Sequence, residues 1–297
     1  MLTTLAQVIA NIVADTLVLG VLALGMGIRV RSAQVYDFSY FAMFALGAYL
    51  SWALATLGIP FLVSVCVALG TVSLLALLID LVILRNPLSR NRRLEAMIAS
   101  LGLFVVVENA ISLIAGPETQ VLAETPLEVY DLQWLPGAPI LNSHQIFAIA
   151  ASLLVMSVVT AFVISSEWGI RFRATDDNRD LAFALGLRPW RLVSEAQVLC
   201  AILAATAGIL YALDRDLTPE MALRPMLHVT VAIVLGGLGM LLGPVVGLFA
   251  VTTTWHLTGL YFDTQWQDMS VFLLLLIVLL VTPQGLSRTF TGSLRDT

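Results

Sequence analysis

The sequence contains no lysine, and all 15 of its basic residues are arginines. A phosphate-binding P-loop needs a lysine on the β- and γ-phosphates of its nucleotide. The chain therefore cannot build a Walker A site, and it cannot hydrolyse ATP by that route. Basic patches with interleaved aromatic residues are absent as well, so we expect no nucleic-acid partner.

Charged residues of both signs are scarce. They make up 12% of the 297 residues, whereas an ordinary soluble domain carries about 25%. Hydrophobic residues make up 59%, and the mean hydropathy is +0.93. They form blocks of about 20 residues, the helix length that crosses a hydrocarbon core of roughly 30 Å. The composition predicts an all-α integral membrane protein that contacts membrane lipid.

Cysteine and histidine are too few and too scattered for site chemistry. Cys66 and Cys200 both lie in apolar stretches, so we expect no disulfide. His144, His228 and His256 lie far apart without a second ligand at metal-binding spacing. No serine stands in a nucleophile-elbow context. We therefore expect neither a metal, nor a cofactor, nor an enzymatic activity in this chain.

Apolar runs between polar interruptions predict eight to nine transmembrane helices in a single transmembrane domain, 1–297. The predicted spans are Leu5–Ile28, Phe41–Leu57, Phe61–Leu84, Leu94–Ala115, Gln145–Ile164, Val193–Leu213, Leu227–Leu242, Pro244–Tyr261 and Met269–Val281. Glycines interrupt the stretch from Leu227 to Tyr261. These two segments are therefore either separate spans or broken, re-entrant helices, which leaves the count at eight or nine.

Arginine placement predicts the orientation, because short cytoplasmic loops collect positive charge. The segments 85–93 and 166–193 hold nine arginines between them, so we expect both to face the cytoplasm. The segment 116–143 has no basic residue and four prolines, which predicts an external loop. Nine crossings place the amino terminus outside, and an even count reverses it. Met1–Ala10 lacks the basic region of a signal peptide, so we expect it to be retained.

The loop from Trp168 to Trp190 combines charge with helical periodicity. Asp176 and Asp177 precede a partly apolar run that contains Leu181 and Phe183, and Gly186 follows it. This order predicts a short amphipathic helix with acids near its start and a glycine as its stop. Either the helix docks on a partner or the loop is a solvated linker.

The run LGGLGMLLGPVVG, residues 235–247, holds five glycines. Glycine in a membrane helix lets backbones approach closely or lets the helix break. Gly236, Gly237 and Gly239 are therefore candidates for the lining of a translocation pathway, with tight helix packing as the alternative.

Several polar side chains fall at membrane depth, where they are costly and usually face a bundle interior or a water-filled path. Asp37, Ser39, Tyr40, Glu108 and Asn109 are the candidates for contact with a polar solute. The alternative for each is a structural hydrogen bond. For Asp15, Asp80 and Glu195 the structural interpretation is favoured.

With these motifs the chain resembles the membrane permease subunits of the branched-chain amino-acid type of ABC importer, a family that includes urea and amide systems. The resemblance rests on FALGAYL at 44–50, RATDDNRDLAFALGL at 173–187, the glycine run at 235–247 and TPQG at 282–285. It implies a second permease, a paralogue, together with two cytoplasmic ATPase subunits that bind ATP and Mg, and an external solute-binding protein. It also implies a multi-pass location in a bacterial-type cytoplasmic (inner) membrane.

The resemblance further assigns roles to individual residues. In the family, the loop that matches 173–187 contains the coupling helix that sits in a groove of the ATPase, so Arg173, Asp177, Asn178, Asp180 and Gly186 are the implied coupling positions. The resemblance also implies that the permease forms the pore. Through this pore a small polar or amphipathic solute, such as an amino acid, moves inward.

Two departures from the family pattern bear on the cargo. The segment before FALGAYL usually resembles Asn-Phe-Ala-His-Gly, and here it is Asp37-Phe38-Ser39-Tyr40-Phe41. Glu108 stands where relatives often have glutamine. The added acids favour a solute with a cationic group or a protonated structural contact. These acids also leave a second hypothesis open, a self-contained secondary transporter that couples to protons or cations through Asp37 and Glu108. A third hypothesis is a structural membrane subunit without a translocation pathway of its own.

Overall fold

The computed structural model describes residues 2–89, 92–122, 129–131, 140–237 and 239–281. These residues are almost entirely helical, which confirms the all-α fold class. The helices are α1 (Leu2–Ala33), α2 (Ser39–Thr56), α3 (Phe61–Ile79), α4 (Arg85–Ser89), α5 (Arg93–Ala115), α6 (Ser143–Ser165), α7 (Glu167–Asp177), α8 (Arg179–Ala184), α9 (Pro189–Asp214), α10 (Leu223–Gly236), α11 (Gly243–Tyr261) and α12 (Gln267–Val281). Strands β1 (Val129–Asp131) and β2 (Ile140–Asn142) pair antiparallel.

Six helices of the described part are long and apolar enough to cross a membrane. They are Thr3–Ala33, Ser39–Thr56, Phe61–Leu84, Arg93–Ala115, Ser143–Ser165 and Pro189–Asp214. Each contains or closely matches a predicted span. The three remaining predicted spans correspond to α10, α11 and α12, of 14, 19 and 15 residues. The predicted count of eight or nine crossings is therefore not confirmed.

The span 61–84 is continuous, but its last turn is not α-helical. After Ile79 the residues Asp80–Leu84 form a π-helical turn. Such turns widen the hydrogen-bonded ring by one residue and often occur at functional sites. Here the turn begins at Asp80, one of the acids at membrane depth, and this side chain is buried.

The chain divides into two compact units. Unit 1 comprises Met1–Gly27, Glu124–Leu153 and Arg224–Thr297, and unit 2 comprises Ile28–Ala123 and Leu154–Leu223. Half of the segment 116–143, predicted as an external loop, lies outside the described residues, and so does the whole TPQG motif at 282–285.

In unit 2, α2 lies at the centre and packs against α3, α5 and α9. A Cβ atom on Gly47 would lie 2.6 Å from Cα of Ala205, and one on Gly208 would overlap the carbonyl oxygen of Phe44. Small residues allow this close approach of α2 and α9. Along the apolar part of α9 67% of the residues are buried, against 17% in α5, so α9 belongs to the core of unit 2 and α5 to its surface.

In unit 1, polar bonds join α1 to α11. The hydroxyls of Thr16 and Thr252 are 2.6 Å apart, and one turn along α11 Nε2 of His256 lies 2.8 Å from a carboxylate oxygen of Asp15. Asp15 thus has the structural partner that the favoured interpretation required. Near the start of α1, the Gln7 side chain donates to and accepts from the backbone of Ile140 in β2.

Candidate functional site

The predicted pathway residues Asp37, Ser39 and Tyr40 lie at the start of α2 and are 3%, 0% and 1% exposed. One carboxylate oxygen of Asp37 accepts hydrogen bonds from the Ser39 backbone N–H at 3.0 Å and from the Ser39 hydroxyl at 2.5 Å. Asp37 therefore satisfies N–H and hydroxyl groups at the beginning of the helix. In this structure all three side chains are enclosed by protein.

The charge of Asp37 is balanced by Arg29 in the last turns of α1. Arg29 Nε donates to the second carboxylate oxygen of Asp37 at 2.9 Å, and both side chains are at most 4% exposed. Nη2 of Arg29 lies 3.6 Å from Asp80 in the π-helical turn. The hydroxyl of Ser194 in α9 donates to Asp80 at 2.5 Å. One buried network thus joins α1, α2, the π-helical turn and α9, and we call it the Arg29 network.

Sequence reasoning identified both acids of this network but not their partner. Arg29, near the end of the first apolar run, was not among the candidates. The available signal was that acids at hydrocarbon depth require a counter-charge, since an unpaired buried charge is very costly. Arg29 is the nearest basic residue in sequence to Asp37 apart from Arg31.

Glu108 and Asn109 lie on α5, well away from Asp37. Ser100 Oγ on the same helix accepts from the Phe38 N–H at 3.1 Å, and Glu108 follows eight residues later, about 12 Å along the axis. Asn109 is exposed and donates to the carbonyl of Val105 in its own helix at 2.7 Å. Glu108 is half-buried, within electrostatic reach of Glu220. The structure therefore does not bring the two predicted acids together.

The glycine run contains a helix break and a close contact between two helices, and its place in the lining of a pathway stays a prediction. Helix α10 ends at Gly236, Gly237 has a φ of +66°, and α11 begins at Gly243. A Cβ atom on Gly236 would overlap the Gly243 carbonyl oxygen. Gly239 is exposed in the turn, and Leu238 is outside the described residues.

The loop from Trp168 to Trp190 folds as two helices rather than one. Helix α7 ends at Asp177, and α8 begins at Arg179. Asp176 and Asp177 therefore lie in the last turn of α7, so their predicted place at the start of the docking helix is wrong. The break occurs because extended Asn178 turns its side chain back to accept from the Leu181 N–H at 2.9 Å, as an N-cap does.

The predicted stop of the loop helix at Gly186 is confirmed. Gly186 has a φ of +85°, and its N–H bonds to the Phe183 carbonyl while that of Leu187 bonds to Ala182. A left-handed glycine that closes a helix end in this way is the usual C-terminal motif. Asp180 lies in the first turn of α8, where its negative charge is favourable.

Helix α8 turns an apolar surface outward. Leu181, Phe183 and Leu185 are 57%, 70% and 75% exposed, and only Ala182 of the helix is buried. Asp177, Asn178 and Asp180 are exposed beside them. We call this the α8 surface. It carries an apolar patch rimmed by polar groups, the composition of a protein-binding site.

Arg173, the fifth predicted coupling residue, makes contacts inside the chain. Its guanidinium donates to the carbonyls of Val163 and Ile164, the latter at 3.1 Å. These carbonyls belong to the last turn of α6, which has no further helical N–H to bond. Arg173 thus caps α6 and holds α7 against it. Sequence reasoning missed this role because it requires the chain to reverse at Ser166.

Arg179, the first residue of α8, was not singled out from the sequence. It donates to the carbonyl of Ser32 at the end of α1, and its guanidinium lies 5.3 Å from the ring centre of Trp190. Burial and the nearby Arg93 lower the pKa of Arg179, and Asp176 and Asp180 partly offset this. An arginine remains charged despite such a shift.

No group of three His, Cys, Asp or Glu side chains suitable for a metal occurs in the described part of the chain. The described residues contain a buried ion-pair network, a helical hairpin and a short helix with exposed apolar side chains.

Comparison with known proteins places these features in a family. The family described as "branched-chain amino acid transport system / permease component" matches residues 8–282. The high-affinity branched-chain amino acid transport system permease protein LivH of Salmonella typhimurium is 28% identical over 207 residues, which cover 68% of this chain. The match spans 66% of that relative, slightly less than two thirds of its length.

A second relative is matched over a longer stretch. The high-affinity branched-chain amino acid transport system permease protein BraD of Pseudomonas aeruginosa is 25% identical over 276 residues, 91% of this chain and 88% of its own. Among solved structures, PsaBC from Streptococcus pneumoniae in complex with Fab covers 94% of both chains with a TM-score of 0.54 and 11% identity. That likeness concerns the fold alone. Because the family match extends over nearly the whole sequence, the chain belongs to the family of branched-chain amino acid transport system permease components.

Proposed function

We propose that this chain is the membrane-spanning permease subunit of an ABC importer, which moves an amino acid or related small solute inward with ATP hydrolysed by partner subunits. The α8 surface carries this proposal. A family member with six helices that suit a membrane exposes Leu181, Phe183 and Leu185 on a short polar-rimmed helix. Because the chain has no lysine for a Walker A site, the nucleotide chemistry belongs to another subunit.

The proposed assembly contains a second permease, a paralogue of this chain, with two cytoplasmic ATPase subunits that bind ATP and Mg and an external solute-binding protein. The names of the relatives LivH and BraD describe parts of transport systems, which supports such an assembly. Asp177, Asn178, Asp180 and Gly186 remain the proposed ATPase-contacting positions. Asp177 and Asp180 would supply charge at the rim of the contact, where it steers association.

We infer a multi-pass location in the cytoplasmic (inner) membrane, with 166–193 inside and 116–143 outside. Support comes from arginine distribution, since nine of the arginines lie in 85–93 and 166–193 and none lies in 116–143. We also propose that α10 and α11 enter the membrane as a broken pair. The close approach at Gly236 and the turn at Gly237 suit two half-helices more than two full spans.

For the pathway, we retain Glu108 and Asn109 together with Gly236, Gly237 and Gly239. Glu108 is half-buried near a second acid, Glu220, which favours a solute with a cationic group, such as the ammonium of an amino acid. For Asp37, Ser39 and Tyr40 we propose a structural role instead, because they are enclosed and Asp37 is paired with Arg29.

A self-contained secondary transporter has less support. That alternative needs Asp37 and Glu108 as coupling acids, but Asp37 is enclosed by protein and bound to Arg29 in a buried ion pair, so it does not face a water-filled path. Gradient-driven uptake by the purified chain without nucleotide would favour this alternative.

The test is purification of the tagged chain from its native membrane in mild detergent, with mass spectrometry of the proteins that accompany it. We expect a Walker-motif ATPase with the wild type and its loss with Phe183→Asp. The matched control is Phe262→Asp, because Phe262 is 69% exposed against 70% for Phe183 and lies in the turn between α11 and α12. If no ATPase accompanies the wild type, or if both variants lose it equally, the proposal is wrong.

A further inference from the structure

Helix α7 is attached to two membrane helices, α6 and α9. Arg173 binds the last carbonyls of α6, and Nε1 of Trp168 donates to Glu195 of α9 at 3.1 Å. The rings of Trp168 and Phe172 stack at 5.3 Å with an interplanar angle of 9°. These contacts make α7 a fixed part of the unit from its first to its second turn.

The third attachment joins α7 to the end of α1. Arg31 donates from Nε and Nη2 to one carboxylate oxygen of Asp176, each at 2.7 Å. The guanidinium carbon of Arg31 also lies 5.9 Å from the ring centre of Phe172, one turn before Asp176. The two ion-pair side chains are only 17% and 21% exposed. Arg31 is therefore held in one position by an acid and an aromatic ring of the same helix face.

Helix α8 reaches the same point of α1. Arg179, its first residue, donates to the carbonyl of Ser32, the residue after Arg31. A cation at the carboxyl end of a helix satisfies carbonyls that lack a helical partner and interacts favourably with the helix dipole. The last turn of α1 therefore binds both helices that carry and support the α8 surface.

The Arg29 network begins two residues earlier in that same turn. Arg29 contacts Asp37 at the start of α2 and Asp80 in the π-helical turn, and Asp80 in turn accepts from Ser194 of α9. Consecutive residues of one helical turn move together, because the backbone hydrogen bonds fix their relative positions. A displacement of α7 and α8 therefore acts on α2, α3 and α9 through about one turn of α1.

We propose that Arg31, with Arg179, is a positioning residue through which movement of the α8 surface reaches the end of α1 and the Arg29 network. The inference rests on the proposed function, since it requires an ATPase that moves α8. Arg31 touches neither solute nor nucleotide. It converts a displacement of α8 into a displacement of the α1 end, and loss of its ion pair uncouples ATP hydrolysis from uptake.

The contrast with a second ion pair of α7 defines the control. Arg171 and Glu167 form an exposed pair, 56% and 87%, on the same helix. An exposed ion pair contributes little to fixing the position of a helix, because water and salt compete for both charges. A partly buried pair with an aromatic contact keeps its geometry. Arg31→Gln and Arg171→Gln remove the same charge and differ in the attachment that they break.

The experiment uses the full transporter, reconstituted in proteoliposomes with its partners and its solute-binding protein, and measures solute uptake and ATP hydrolysis in the same sample. We expect Arg31→Gln and Asp176→Asn to lower the uptake per ATP at least fivefold while the assembled complex and its hydrolysis remain. Arg31→Lys should retain part of the coupling. Arg171→Gln should match the wild type.

The charge-exchanged variant Arg31→Asp with Asp176→Arg separates coupling from folding. It restores the ion pair in reverse, so we expect it to recover uptake per ATP relative to either single exchange. An unchanged ratio in Arg31→Gln, or equal losses in Arg171→Gln, would overturn this inference while the proposed function stands. A wild-type chain that neither binds an ATPase nor shows ATP-driven uptake would overturn both.

Discussion

Nε of Arg29 lies 2.9 Å from the carboxylate of Asp37, and fewer than five per cent of either side chain is exposed. Two separate features of the sequence, an arginine at the end of the first apolar run and an acid before the second, thus form one contact. Arg29 also contacts Asp80, which lies 51 residues after Arg29 in the sequence. Asp37, one of the candidate pathway residues, is thus held as part of the framework.

Removal of Arg29 should be far more damaging than removal of an exposed arginine. Arg29→Leu leaves Asp37 and Asp80 buried without a counter-charge, and breaking a buried pair in this way costs about 3–5 kcal/mol. We expect a marked fall in the thermal unfolding midpoint in detergent. Arg92→Gln, in an exposed pair with Glu95, should leave it unchanged. Equal midpoints for the two variants would contradict the network.

The close approach of α2 and α9 should make Gly208 intolerant of a methyl group. In Gly208→Ala the new Cβ meets the backbone of Phe44, which cannot move aside as a flexible side chain does. Overpacking of this kind costs about 1–3 kcal/mol. Gly70→Ala is the control, because nothing lies within 4 Å of its Cβ position and alanine favours the helix. Thermal unfolding should therefore separate the two variants in opposite directions.

The end of α8 depends on the left-handed conformation of Gly186. Gly186→Ala should cost roughly 1–2 kcal/mol locally, because a Cβ atom disfavours this region. We expect faster hydrogen exchange at the amides of Gly186 and Leu187, which close the helix. Gly186→Asn should exchange more slowly than the alanine variant, since asparagine adopts this conformation more readily. Exchange at wild-type rates in the alanine variant would show that the helix end does not depend on this residue.

Glu108 should affect uptake rather than assembly. A hydrogen bond to a charged group contributes about 1.5–3 kcal/mol, so its loss in Glu108→Gln should lower uptake of an ammonium-bearing solute about tenfold or more. The control is Glu95→Gln at the start of the same helix, where the side chain is exposed. Transport assays of the full complex, with ATPase content measured in parallel, distinguish the outcomes. Wild-type uptake in Glu108→Gln would remove the residue from the pathway.

The Thr16–Thr252 hydrogen bond should appear as a coupling between α1 and α11. The hydroxyls are 2.6 Å apart and both residues are buried. Polar bonds between membrane helices contribute about 0.6 kcal/mol on average. We expect Thr16→Val and Thr252→Val each to lower the unfolding midpoint, and the double variant to lower it by less than the sum. Strict additivity would mean that the hydroxyls do not interact.

Local features were predictable from the sequence. The start of α3 at Phe61 and the end of α5 at Ala115 match the predicted spans, because apolar runs end where polar or helix-breaking residues begin. The stop at Gly186 was predictable for the same reason. The position of Asp176 in the last turn of α7 was not predictable, because Asp176 pairs with Arg31, 145 residues away. The residue that caps the start of α8 is Asn178.

The sequence by itself determined that this protein is an all-α membrane protein without a lysine-based nucleotide site, and it carried the motifs of its family. Hydropathy, glycine placement and charge distribution are properties of neighbouring residues, so they need no tertiary structure. Only the tertiary structure decided which charges pair: Arg29 with Asp37 and Asp80, and Arg173 with the end of α6. Such pairs join segments distant in sequence, and a buried charge selects its partner by distance in the folded chain.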